Sequence, residues 1–247
     1  MLRLLFIAYV WLAFVPLVVL STLGFGLACL LTAPFLGPRA AGRLYAVPWA
    51  RLGLMLSGVT VSVDGREHVD PRQSYVVVAN HLSLFDIWVL YGYLDLDVRW
   101  VAKQEVRRIP VLGAACVMLG HVFIDRSHPD KAIASIKAAQ DTIRDGTCML
   151  FFPEGTRSRN GRLQPFKKGA FKVATEMGLP VLPVMIQGTY EILPPDSVAL
   201  HPRHVHIGIL PALAPQPSTE RGVDELMWAA HARIEHGQTE DKLANLA

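Results

Sequence analysis

From Leu4 to Pro38 the chain carries no charged residue, a run of 35 positions in which Leu, Val, Phe and Ala predominate. A core helix does not need such a run, because the outward face of a helix in a soluble body is normally polar. A signal peptide needs an apolar region of only about 7–15 residues before a small-residue cleavage site, so this segment is expected to persist as an anchor. A single span takes about 20 residues and two spans with a turn take over 40. The length falls between the two, and a hairpin of two shorter helices fits it better than one long tilted span. Pro16 and the Ser21, Thr22, Gly24, Gly26 stretch supply places to bend, while Pro34, Gly37 and Pro38 end the second helix. Arg3 lies at one end and Arg39, Arg43 and Arg51 at the other, which places both ends on the cytoplasmic side. The expected division is therefore a monotopic anchoring hairpin over residues 1–38 and a body over residues 39–247, at the cytoplasmic face of the cell inner membrane.

The 247 residues suffice for one α/β domain with an appendage, not for two independent cores. Hydrophobic residues make up 51% of the chain and mean hydropathy is +0.31, high for a soluble enzyme and low for a protein made mostly of spans. The formal net charge of +3, with no Lys/Arg run interleaved with aromatics, argues against a nucleic-acid partner and allows a mild preference for anionic lipid. Cys29, Cys116 and Cys148 lie far apart in apolar stretches, which reads as buried free thiols in a reducing compartment. No zinc-type ligand spacing occurs, and His201, His204 and His206 have no carboxylate or cysteine with them, so no metal site is expected.

Beyond residue 58 short β-rich runs alternate with helical patterns. Candidate strands are Val59–Val63, Tyr75–Ala79, Val98–Ala102, Val122–Ile124, Met149–Phe152, Val181–Ile186 and Val205–Leu210; candidate helices lie near Leu84–Leu94, Lys131–Arg144, Phe166–Met177 and Val223–His236. Runs such as Tyr75-Val-Val-Val-Ala79 are apolar on both faces, as in a sheet covered on both sides. The expected fold class is α/β: a single domain with a central, mostly parallel sheet of about seven strands covered by helices, plus the N-terminal hydrophobic two-helix membrane motif.

Two segments carry most of the chemistry. In Asn80-His81-Leu82-Ser83-Leu84-Phe85-Asp86, a strand ends in Asn-His before an apparent helix start, which puts His81 at the carboxyl end of a strand, where open α/β sheets bind ligands. Residues five apart on an ideal helix point about 140° apart. His81 and Asp86 meet only if His81 sits in the preceding turn. A carboxylate on one imidazole nitrogen would fix the tautomer and free the other nitrogen to take a proton. The plainer alternative is that Ser83-x-x-Asp86 is a capping box and His81 a loop residue. The second segment is Phe151-Phe152-Pro153-Glu154-Gly155-Thr156-Arg157-Ser158, a buried strand leading into a charged turn. Gly155 permits tight backbone geometry and Arg157 offers a planar fork suited to phosphate, although Glu154 and Arg157 are also ordinary candidates for surface ion pairs. Weaker signals are Asp125-Arg126 at the exit of one strand, Lys103 at the end of another, and Pro183 within Val181-Leu182-Pro183-Val184. Ser83 and Ser158 stand in no Gly-x-Ser-x-Gly elbow, so direct transfer is preferred to a covalent intermediate.

In this order and spacing the segments resemble the glycerolipid acyltransferase family, most closely its lysophosphatidic acid acyltransferases, over roughly residues 75–190. The resemblance implies that His81 and Asp86 form a catalytic dyad. It also implies that Glu154, Gly155 and Arg157 belong to the acceptor site, with Lys103 and Arg126 helping to hold its phosphate, and that Asn80, Ser83, Thr156 and Pro183 shape it. The implied partners are a lysophospholipid acceptor, membrane lipids, and acyl-ACP or acyl-CoA as co-substrate, with no bound cofactor. Gln104 and Val106 depart from the usual neighbours of the lysine, which bears on acceptor preference. Rival readings are acylation of lyso-ornithine lipid or another lysophospholipid, and, in another class, a membrane-tethered hydrolase or a non-catalytic lipid-binding protein.

Overall fold

The computed structural model describes residues 2–125, 128–194 and 200–244. The chain begins with α1 (Leu2–Tyr9), a π-helical turn (Val10–Phe14) and α2 (Val15–Leu36), which run on as one helix. Gly37, at φ 79°, ends it. A second continuous helix follows, from α3 (Pro38–Ala41) through another π turn (Gly42–Ala46) to α4 (Val47–Leu56). The two helices are antiparallel: Tyr45 OH accepts from Thr32 Oγ1, Trp49 Nε1 donates to Thr22 Oγ1, and Tyr9 OH donates to Leu56 O.

A two-helix hairpin therefore forms, but not within residues 1–38. The bend expected between Pro16 and Gly26 is absent, and the return helix occupies the first part of the segment assigned to the body. The physical reason lies in the π turns. Each directly precedes a Val-Pro pair, Val15-Pro16 and Val47-Pro48, at the start of the next helical stretch. Wider bonding in a π turn leaves room for a ring that lacks the N–H of a regular helix, so neither proline breaks its helix.

After the hairpin come β1 (Thr60–Asp64), β2 (Val76–Ala79), α5 (Phe85–Tyr93), β3 (Asp97–Lys103), α6 (Leu112–Met118), β4 (Val122–Ile124), α7 (Pro129–Ala139), β5 (Thr147–Phe151), α8 (Gly169–Met177), β6 (Val181–Gln187), α9 (Thr189–Ile192), β7 (His204–Ile209) and α10 (Glu220–Ala244). The seven strands form one sheet in the order β1-β7-β6-β2-β5-β3-β4. Every neighbouring pair is parallel except β6 with β7. All seven strands and four of the helices fall where the sequence pattern placed them. α10 runs to Ala244, with His236 paired to Glu240 one turn on.

Alternation along β2 explains why its sequence is apolar throughout. Val77 and Ala79 enter a core with Leu54 of α4 and Val89 and Leu90 of α5, while Val76 and Val78 enter a second core with Phe171 of α8 and Leu226 and Ile234 of α10. Burial of such side chains on both faces contributes roughly 1.5–3 kcal/mol each, so β2 is held firmly in the sheet. Its carboxyl end is fixed accordingly. Pro183 sits in β6 between β2 and β7, not at an edge or bulge. Its missing N–H falls at the end of the β7 ladder, where only Leu210 N–H bonds back to the Pro183 carbonyl. Cys29 and Cys148 are buried and Cys116 is half-buried.

Candidate active site

Because β2, β5, β3 and β4 are neighbouring parallel strands, their carboxyl ends share one edge. That edge collects the turns carrying His81, Glu154 to Arg157, Lys103 and Asp125. Asn80, fully buried, closes the end of β2 onto β6: its amide donates to Ile186 O at 2.8 Å and accepts from Ile186 N–H at 2.7 Å. One side chain thus stands in for a rung of the ladder and sets where the chain leaves the sheet.

His81 is held by its main chain on both sides. Its N–H donates to Glu154 Oε1 at 2.6 Å, and its carbonyl accepts from Ser158 N–H at 2.8 Å. Segments 73 residues apart are thereby joined into one unit. The imidazole stacks on Phe152, with centroids 3.9 Å apart and planes 11° from parallel, and its Nδ1 lies 2.7 Å from Asp86 Oδ2.

The five-residue separation is bridged because residues 80–84 form a turn and α5 starts only at Phe85. Asp86, with no exposed surface, receives three further donors: Leu82 N–H at 2.7 Å and Ser83 N–H at 2.9 Å on Oδ2, and the Thr189 hydroxyl at 2.5 Å on Oδ1. A carboxylate only accepts, so Nδ1 of His81 carries the proton and Nε2 presents a lone pair. The ring is 16% exposed. This pair can take a proton from a hydroxyl and hold it beside a buried negative charge. The capping-box reading is half realised. Asp86 does accept the Ser83 N–H, but the Asp86 N–H goes to the Ser83 carbonyl and not to its hydroxyl, which donates to Leu193 O.

Glu154 is bound to the main chain on both sides. Its carboxylate is buried and both oxygens serve main-chain amides, Oε1 that of His81 and Oε2 that of Gln164 at 3.0 Å. It positions His81 through the main chain. Burial pushes its carboxyl up to about 7, with the Asp86 charge adding to the rise and the two amides opposing it. The charged form, in which both oxygens accept, therefore prevails above neutrality.

The cations differ in how committed they are. Lys103 is exposed and bonded to Glu105 at 2.8 Å. With strands about 4.8 Å apart, the end of β3 lies roughly 10 Å from that of β2. Arg126 lies outside the described residues. Arg157 is half-buried and its guanidinium has no ion pair or hydrogen bond with a described residue, so it is not spent on the surface pairing that the sequence allowed. Thr156 is exposed beside it. Gly155, at φ 77°, makes the turn possible. Pro183, inside β6, supports the sheet and makes no hydrogen bond to the dyad.

Sequence reasoning missed Thr189, Phe152 as a stacking partner, and Gln164. Thr189 carried a usable signal: Gln187-Gly188-Thr189 ends a strand on the same edge, and Gly188 at φ 95° turns the chain where a β-carbon would meet His204 O at 2.4 Å. His204 and His206 bond across to Thr60, Ser62 and Asp64 on β1.

A family model described as acyltransferase matches residues 60–187, more than half of the chain. The chain belongs to the acyltransferase family. It is similar to the 1-acyl-sn-glycerol-3-phosphate acyltransferase of Limnanthes douglasii, 31% identical over 217 residues covering 87% of this chain and 76% of that protein. The protein of the same description from Pseudomonas aeruginosa is 30% identical over 84% of this chain and 82% of its own length. The crystal structure of the 1-acyl-sn-glycerophosphate acyltransferase from Thermotoga maritima superposes with a TM-score of 0.80 at 28% identity, covering 97% of this chain and 96% of that one.

Proposed function

We propose that the protein transfers a fatty acyl group from an acyl thioester to the sn-2 hydroxyl of lysophosphatidic acid, giving phosphatidic acid for phospholipid synthesis. The observation that carries this reading is the His81 to Asp86 contact, clamped by the Pro-Glu-Gly-Thr-Arg-Ser turn, in a chain similar to acyltransferases described as acting on that acceptor.

His81 Nε2 takes the proton as the acceptor oxygen attacks the thioester carbonyl, a contribution typically about 10²–10⁴-fold. The carbon–oxygen bond forms, the carbonyl electrons move onto its oxygen, and the tetrahedral species collapses with cleavage of the carbon–sulfur bond. The departing thiolate takes the proton back from the imidazolium. Asp86 holds the ring and stabilises its charged form. The amides of His81, Leu82 and Ser83 already donate to Glu154 and Asp86, so the oxyanion draws its donors from elsewhere in the site. Acyl-ACP or acyl-CoA is the co-substrate, and the scheme uses no resident cofactor or metal.

Arg157 binds the acceptor phosphate. Arg157→Ala should raise KM for lysophosphatidic acid about tenfold to a hundredfold, because a charged hydrogen bond to phosphate is worth about 1.5–3 kcal/mol. Arg157→Lys should restore part of it, keeping charge but losing the planar fork. Equal losses on lysophosphatidic acid and on a phosphate-free acceptor, or no loss on either, would remove the phosphate-binding role.

The hairpin anchors the protein from one side of the inner membrane, at its cytoplasmic face. Along the first helix Val10, Phe14, Gly26, Cys29 and Ala33 are buried, whereas Leu20, Leu23, Leu27, Leu31 and Phe35 form an exposed stripe. The buried positions lie at the two ends of the stretch from Val10 to Ala33, about 35 Å at 1.5 Å per residue. The helix over Phe6–Leu36 is long and apolar enough to cross a membrane, but its antiparallel partner and the arginines at both ends of the hairpin favour an outer stripe that lies in one leaflet. Cysteines placed near Ser21 should be labelled by no impermeant reagent from the far side of sealed vesicles; labelling there would make the hairpin a span.

A further inference from the structure

We infer that Thr189 is a positioning residue of the catalytic dyad, its hydroxyl fixing the Asp86 carboxylate so that Oδ2 stays on His81. The inference rests on the function proposed above and adds to it a residue that acts through Asp86. The two carboxylate oxygens are unequally held. Oδ2 accepts from three groups of the turn before α5, His81 Nδ1, Leu82 N–H and Ser83 N–H. Oδ1 has one partner among the described residues, the Thr189 hydroxyl at 2.5 Å. Asp86 and Thr189 have no exposed surface, so bulk water does not take over that bond. The terminal torsion of an aspartate is broad, unlike the staggered torsions nearer the backbone. A donor on Oδ1 therefore decides whether the carboxylate stays in line with the imidazole, and it favours the charged form that the imidazolium needs.

Contacts other than the one to Asp86 place Thr189. It opens α9 directly after β6, the neighbour of β2 in the sheet. Asn80 at the end of β2 bonds both the N–H and the carbonyl of Ile186, and three residues on Thr189 meets Asp86. Gly188, at φ 95°, makes the turn between them against His204 O. At the far end of α9 Ile192 is fully buried in the core that holds Val89 and Leu90, and Leu193 O accepts the Ser83 hydroxyl at 2.9 Å. Tyr190 donates to Arg159 O at 3.1 Å, and its ring covers Gly161, where a β-carbon would stand 3.1 Å from it. A four-residue helix is not stable by itself. The sheet, the turn before α5 and the loop after Arg157 all hold this one, so the Thr189 hydroxyl is a fixed point to which Asp86 is referred.

The test uses the full chain in detergent or vesicles with lysophosphatidic acid and an acyl thioester, and reads kcat, KM and the pH profile of kcat. Thr189→Val keeps the shape and removes the hydroxyl; kcat should fall about tenfold or more with KM for the acceptor little changed. The acid limb should move to higher pH by about one unit, because the bond that favours the charged carboxylate is gone. Of the elements packed on the dyad, β2 and β6 bring no charged group, α9 brings the exposed Glu191, and the turn after β5 brings Arg157 and Glu154. Burial pushes the Glu154 carboxyl up to about 7, but its titration is common to wild type and variant and gives no difference between them. Thr189→Ser retains the hydroxyl and should stay within a few fold of wild type. Thr189→Ala removes it without setting a methyl against the carboxylate, and should show the same loss where the valine variant melts too low to assay. Thermal midpoints identify the folded variants. Wild-type kcat with an unmoved acid limb in a folded variant lacking the hydroxyl, a loss wholly in KM, or a serine variant as impaired as the valine one overturns the inference; with His81→Ala inactive in the same assay, the proposed reaction stands. Turnover in His81→Ala as well would overturn both.

Discussion

His81→Ala should reduce acyl transfer by at least about 10²–10⁴-fold, with the protein still folded and membrane-bound. Among the described residues, the lost group is the one placed to take the hydroxyl proton beside a fully buried carboxylate. The bonds that organise the turn belong to the main chain, His81 N–H to Glu154 and His81 O from Ser158, and alanine retains both. The cost to folding is the stack on Phe152, about 0.5–1.5 kcal/mol beyond its area for an aromatic pair, and the Nδ1 bond to Asp86, whose carboxylate keeps three other donors. Initial rates alongside a thermal melt check this. Turnover within a few fold of wild type would remove His81 from the chemistry.

Asp86→Asn should be almost as damaging, lowering kcat by about a hundredfold or more while KM for the acceptor changes little. The amide is isosteric. Its oxygen can keep the Leu82 and Ser83 N–H groups, and its nitrogen can donate to the Thr189 hydroxyl, so the turn survives. What it cannot supply is a negative charge against the imidazolium. Asp86→Ala is a different experiment, because it orphans four donors at a site with no exposed surface. That variant is expected to fail in folding as well. A loss in Asp86→Asn that appears wholly in KM would show that Asp86 shapes the acceptor site without acting through His81.

Much of this site was legible because its information is local. Strand runs apolar on both faces marked a covered sheet, and the Asn-His exit placed the turn that lets His81 reach Asp86. What stayed hidden depended on contacts between distant segments. Nothing local shows that the Glu154 oxygens accept from the amides of His81 and Gln164. The return helix of the hairpin was missed for a compositional reason. Arg39, Arg43, Arg51 and Pro48 interrupt its apolar pattern, yet Arg39 turns outward to Asp97 and Arg51 to Gly92 O, while the π turn accommodates the proline.

The most direct test is product analysis with the purified full chain. Labelled acyl-ACP and acyl-CoA would each be offered with lysophosphatidic acid, lyso-ornithine lipid, lysophosphatidylcholine, or no acceptor. The expected result is labelled phosphatidic acid, formed faster than any other product and lost in His81→Ala. Release of free fatty acid without an acceptor, or faster acylation of lyso-ornithine lipid or lysophosphatidylcholine, would contradict it.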